Sequence, residues 1–203
     1  IEPNVGIVEV PDPRLTALQA IAKPEKTIPA SVEFVDIAGL VAGASKGEGL
    51  GNQFLANIRE CDAIAHIVRC FDDPNVIHVA GRVDPISDID VINTELALAD
   101  LQTVDKQLAR YSKVARSGQG PEAKEAKRLV EALEKIQPAL NQGQPVRSVD
   151  LYDEEKAVLR PLFLLTAKPT LYVANVEAHG FENNPLLDKV KQRAEQESAP
   201  VVS

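Results

Sequence analysis

The sequence predicts an α/β domain whose sheet is interrupted by an all-helical insertion, and three observations carry that prediction. Five short apolar runs rich in β-branched residues read as strands of a parallel sheet: Val5 to Val8, Val32 to Val35, Ala63 to Val68, Thr170 to Ala174, and Pro200 to Val202. Helical pattern falls between them, as at Gly51 to Arg59, where Phe54, Leu55 and Ile58 share one face. Strand pattern is then missing from about Asp90 to Thr166 and resumes at Thr170.

Within that middle stretch Leu101, Val104, Leu108, Tyr111 and Ala115 recur at spacings of three and four, and so do Leu129, Leu133, Ile136 and Leu140. Arg116-Ser117-Gly118-Gln119-Gly120-Pro121 between them has the composition of a turn. Two long helices in an antiparallel hairpin are expected. A third helix is expected from Asp153, as N-cap, to Leu165, with Glu154 and Glu155 in its first turn. The expected division is residues 1–89 as the first part of the α/β domain, 90–166 as the insertion, and 167–203 as the remainder.

Composition narrows the function classes. The chain has 203 residues, 44% of them hydrophobic and 26% charged, enough to build a sizeable core. No run approaches the roughly 20 apolar residues of a membrane helix, so a membrane role is not expected. The two cysteines, Cys61 and Cys70, belong to no metal-binding pattern and argue against a disulfide framework, which points to a reducing, cytoplasmic setting. A net charge of −8 argues against wholesale coating of DNA or other nucleic acid, because neutralising phosphates takes an excess of Lys and Arg. The chain opens on Ile1 and contains no Met, so it reads as a piece of a longer protein.

The chemistry concentrates in Val35-Asp36-Ile37-Ala38-Gly39-Leu40 and the glycine-rich run through Gly43, Gly47, Gly49 and Gly51. A strand delivers Asp36 to its carboxyl end, and Gly39 follows three residues later. In phosphate-loop hydrolases this spacing lets the Asp help hold Mg²⁺ through water. The Gly brings its backbone N–H to a γ-phosphate with no Cβ in the way. The further glycines give the loop the freedom that a phosphate-sensing switch requires.

The run from Asp36 to Glu60 resembles the second switch of the Obg-like ATPases, the YchF subfamily of the P-loop GTPases and ATPases. The likeness extends through Ile1 to Gly6, Pro11 to Leu15, Ile92 to Leu101 and Phe181 to Pro185, and so over nearly the whole chain. It implies a Ras-like G-domain sheet carrying a coiled-coil insertion, with the phosphate-binding loop before Ile1 and a TGS domain after Ser203. The cofactors implied are Mg²⁺ and ATP, or GTP.

Leu40 stands where many GTPases place the Gln that orients the attacking water, and leucine cannot hydrogen-bond water. By analogy with the family His78 is a candidate for that task; the residues alone fit equally a histidine satisfied inside its loop. His66 and His179 read as structural. Base recognition is expected at Asn175, meeting the purine ring, and at the backbone of Val176. The fourth position of the motif that opens at Asn175 is Ala178 and the acidic residue sits at Glu177, so the guanine-reading carboxylate is missing from its expected place and ATP is expected over GTP.

Arg110, Lys113, Arg116, Lys124, Lys127 and Arg128 face only Glu122 and Glu125 across the expected turn. That balance fits either an ordinary solvated face or a footprint for the ribosome or ribosomal RNA, reached through phosphates. The function expected of the full-length protein is an ATP-hydrolysing switch associated with ribosomes. The alternatives are a GTPase in ribosome assembly and a ribosome-binding module that does not hydrolyse nucleotide.

Overall fold

The computed structural model describes residues 4–37, 50–75, 78 and 81–203. They fall into two compact units, Ile1–Gly39 and Leu40–Ser203.

In the first unit β1 (Asn4–Glu9) and β2 (Ser31–Asp36) pair antiparallel, with Asn4 opposite Asp36 and Glu9 opposite Ser31. This corrects the expectation that both runs belong to a parallel sheet. A parallel return needs a crossover packed on the sheet. The intervening α1 (Pro13–Ala22) buries none of its residues, so the chain comes back as an antiparallel neighbour. The sequence reading also missed α1. Its signal was Asp12-Pro13: Asp12 accepts from the Arg14 amide at 2.9 Å and Pro13 occupies the first turn.

In the second unit β3 (Ile64–Arg69), β4 (Thr170–Asn175) and β5 (Val201–Val202) form a parallel sheet in the order β3-β4-β5. The parallel reading holds for these three runs. Val68, Cys70, Tyr172 and Ala174 pack there against Leu187, Val190 and Ala194 of α6 (Pro185–Gln196) and against Ile89. Before the sheet comes α2 (Leu50–Glu60), which buries Leu55 and Ile58 on the face expected. Its carboxyl end is capped by Lys168, whose Nζ donates to the carbonyls of Arg59 and Cys61. A cation there also meets the negative end of the helix dipole.

Two helices fill the gap in strand pattern. α3 (Pro85–Ser117) runs 33 residues and α4 (Pro121–Asn141) runs 21. They pack as a hairpin through Val104, Leu133, Ile136 and Leu140, with Leu101, Leu108 and Leu129 partly buried beside them. The turn between them uses Gly120 at φ +91 and has no room at Gly118, where a Cβ would stand 2.6 Å from the Val114 carbonyl oxygen.

The third helix, α5, is shorter than expected. It spans Asp153–Leu159, and a 3-10 turn, Arg160–Leu162, with Pro161 at its centre, then follows. Tyr152, rather than Asp153, holds the N-cap position, and its amide donates to Glu155 Oε2 at 2.8 Å.

Two polar clusters fasten this helical region to the sheet. Asp100 of α3 is fully buried and accepts from the amides of Leu165 and Thr166 and from the Thr166 hydroxyl, at 2.7–2.8 Å. Burial raises its carboxyl above the ordinary range, and these three bonds only partly offset that. Glu197, just past α6, accepts from the Tyr172 hydroxyl at 2.8 Å, from Arg147 at 3.2 Å and from Arg193. Burial pushes the Glu197 carboxyl up, but hydrogen bonds from Arg193, Tyr172 and Arg147 outweigh it and hold it below the ordinary range. Arg193 also reaches Asp90 of α3 at 2.8 Å.

Candidate functional site

Asp36 ends β2, as the sequence predicts, with its side chain exposed. Gly39, Leu40 and the glycine-rich run to Gly49 lie outside the described residues. An exposed carboxylate at the carboxyl end of a strand suits a cation held through water. Among the described residues no three His, Cys, Asp or Glu side chains are grouped to hold a metal ion alone.

In the second unit β3 and β4 end together, Arg69 opposite Asn175. The Cys70 amide donates to the Asn175 carbonyl at 2.7 Å, which fixes the main chain of Asn175 and leaves its side chain exposed at the strand's end. Val176 follows, half-buried against the sheet core. Glu177 and Ala178 are exposed and enter a turn closed by the Gly180 amide donating to the Glu177 carbonyl at 2.8 Å.

Asn184 joins that turn to the end of β3. Its Nδ2 donates to the carbonyls of Cys70 at 2.9 Å and Gly180 at 3.0 Å, while its Oδ1 accepts from the Leu186 and Leu187 amides at the start of α6. The sequence reading gave Asn184 no role; Asn before Pro185 was the available signal for a helix cap.

After β3 the chain is held by Arg69, whose guanidinium donates to the carbonyls of Phe71 at 3.0 Å and Asp73 at 3.3 Å and lies over the Phe71 ring. His78 follows. Its side chain is 15% exposed, and Nε2 lies 2.9 Å from Oδ2 of Asp88, which is 32% exposed and belongs to the first turn of α3. Asp88 was missed in the sequence, where Asp84-Pro85 marks the helix start and nothing marks which loop residue its first turn meets.

The other histidines do not join this pair. His66 lies on β3 with its ring 5.6 Å from that of Tyr172, and burial pushes it down to about 4; His179 is exposed in the turn after β4.

At the far end of the hairpin all six basic residues, Arg110, Lys113, Arg116, Lys124, Lys127 and Arg128, are exposed. Arg110 lies over the Tyr111 ring at 5.1 Å, and Lys127 is 3.9 Å from Glu131 in a solvent-exposed pair.

A family model described as 50S ribosome-binding GTPase matches residues 10–117, more than half of the chain. All of the chain aligns with proteins named Ribosome-binding ATPase YchF, at 56% identity over 202 residues in Haemophilus influenzae and 49% over 205 residues in Bacillus subtilis. The chain belongs to the YchF branch of the 50S ribosome-binding GTPase family. A solved structure of the Schizosaccharomyces pombe YchF GTPase superposes on all of it with a TM-score of 0.79 and 38% identity. The YchF fold is therefore a G-domain sheet carrying the α3–α4 hairpin as a helical insertion. The chain spans about half the length of these YchF relatives: 54% of the Haemophilus protein, 55% of the Bacillus protein and 56% of the Schizosaccharomyces chain. Among the described residues no helix is long and apolar enough to cross a membrane.

Proposed function

We propose that the full-length protein is a ribosome-associated switch that binds ATP with Mg²⁺ and hydrolyses it to ADP and phosphate. The observation that carries this reading is the siting of the candidate residues. In the parallel sheet β3-β4-β5, Asn175 ends β4 and His78 follows β3, and ligands of open α/β sheets bind beyond the carboxyl ends of the strands; Asp36, in the other unit, ends β2. In this reading Asp36 helps hold Mg²⁺ through water, Gly39 offers its amide to the γ-phosphate, and His78 orients the attacking water in place of the Gln that Leu40 replaces. Bound Mg²⁺ would neutralise charge on the β- and γ-phosphates.

Asn175 would meet the purine ring and the Val176 backbone its edge. Preference for ATP is supported by Ala178, which supplies no carboxylate to accept from the guanine edge. The relatives' names, Ribosome-binding ATPase YchF, support both the nucleotide and the partner. The partner would be met at the basic end of the hairpin, through phosphate contacts to ribosomal RNA. Residues 1–89 and 167–203 would make up the nucleotide-binding domain, and 90–166 the arm that reports its state.

GTP is the second reading, favoured by the family description and by the Schizosaccharomyces relative's name. Phosphate release by the full-length protein, with and without ribosomes and with ATP and GTP in competition, tests both. Turnover with ATP bound more tightly is expected. Tighter GTP binding would overturn the nucleotide assignment, and no release in either condition would leave a ribosome-binding module without hydrolysis.

A further inference from the structure

We infer that Asn184 is a positioning residue for base recognition: its side-chain amide ties the turn after Asn175 to the end of β3 and so sets where the Val176 backbone meets a purine. The inference rests on the proposed roles of Asn175 and Val176. The near end of the turn is fixed by the Cys70 amide, which donates to the Asn175 carbonyl at 2.7 Å. The far end is fixed through the same residue. Asn184 Nδ2 donates to the Cys70 carbonyl at 2.9 Å and to the Gly180 carbonyl at 3.0 Å, so both ends of the segment are held to Cys70. Cys70 is a firm anchor, because its side chain is fully buried in the sheet core.

The identity of residue 184 points to this second task. A helix cap needs only a side-chain oxygen, and Asp or Ser serves there as well as Asn. Oδ1 of Asn184 supplies it, accepting from the Leu186 and Leu187 amides at 3.0 and 3.2 Å. Bridging two carbonyls takes two N–H bonds on one atom, which Asn has and Asp and Ser lack. The side chain cannot be turned round, since Oδ1 would then face two carbonyls and Nδ2 two N–H groups. The turn also lies close on this amide: a Cβ at Gly180 would stand 3.2 Å from the Glu177 nitrogen and 3.4 Å from Asn184 Nδ2. The chain reaches Asn184 through Asn183 at φ +53, left-handed backbone that asparagine tolerates. A turn held at both ends before the nucleotide arrives has less freedom to lose on binding, which favours the base that fits it.

The test uses the full-length protein with Asn184→Ser and Asn184→Asp, which keep a capping oxygen and remove the two donors, beside Asn175→Ala. Dissociation constants are measured for ATP and GTP with Mg²⁺ and, by competition, for magnesium tripolyphosphate, which has no base. Both Asn184 variants should bind ATP about tenfold more weakly, as expected for two lost hydrogen bonds. The ratio of ATP to GTP affinity should move toward one while tripolyphosphate affinity stays unchanged, a pattern that a general loss of folding would not produce. In the nucleotide-free protein, hydrogen exchange should speed up over residues 176–180 and stay unchanged over α6.

Unchanged ATP affinity or an unchanged ATP-to-GTP ratio in the Asn184 variants, equal weakening of all three ligands, or unchanged exchange over residues 176–180 would overturn this inference. Weaker ATP binding by Asn175→Ala would in that case leave the base-reading assignment standing. If Asn175→Ala binds ATP normally, that assignment and this inference both fall.

Discussion

At the scale of single residues, the three histidines differ by surroundings rather than by sequence context. His78 meets a carboxylate from a helix start, His179 meets solvent, and His66 is enclosed beside Tyr172. Burial holds His66 near 4 against an ordinary value of 6.5, so it is neutral at physiological pH. The unfolded chain binds this proton more readily than the folded one between those two values. Stability therefore falls as pH drops from 6.5 to about 4, and the loss is complete below that. Thermal melts of the full-length protein across this range, compared with His66→Gln, should show a flatter pH dependence in the variant. An identical slope in the two proteins would mean that His66 is open to water in solution.

At the scale of elements, the hairpin depends on a tight turn. Gly118 has an ordinary φ of −76, so its requirement is space: an added Cβ would lie 2.6 Å from the Val114 carbonyl oxygen and 2.8 Å from the Ala123 Cβ. Gly118→Ala should cost about 1–3 kcal/mol through this overpacking, read as a lower denaturant midpoint in the full-length protein. If ribosomes are met at the hairpin end, removing Arg116 and Lys124 should weaken binding and flatten its salt dependence by about one unit of log–log slope for each phosphate no longer neutralised. Equal slopes in the variant and the natural protein would place the ribosome-binding surface elsewhere.

The hairpin was legible because α3 and α4 bury a continuous stripe, and residues such as Val104, Leu133 and Ile136 imprint the helical period on the sequence. The direction of β1 and β2 was not legible, since an apolar run of four residues looks the same in either pairing. Pairing is decided by how the connection returns, and α1 has no buried face to record that. The site was partly legible: Asp36 and Asn175 stand at strand ends, where the apolar runs stop. Asp88, Asn184 and Arg69 were hidden because each acts on a segment distant in sequence or on carbonyl groups that carry no sequence signal.

At the scale of the whole molecule, α3 joins the two ends of the proposed mechanism. Its 33 residues extend for about 50 Å at the usual helical rise of 1.5 Å per residue. Asp88 lies in its first turn and Arg116 in its last. Along its length Asp90 is tied to α6 by Arg193, and Asp100 to the turn before β4 by Leu165 and Thr166. Ribosome binding at the basic end would thus be transmitted through a helix fastened at several points to the sheet that carries Asn175.

The central proposal is that the glycine-rich segment beginning at Asp36 responds to the terminal phosphate of a bound nucleotide. The most direct test is hydrogen exchange over residues 36–51 of the full-length protein with Mg²⁺, comparing a non-hydrolysable ATP analogue with ADP. Slower exchange with the triphosphate analogue than with ADP is the expected result, and equal exchange at saturating concentrations of both would contradict it.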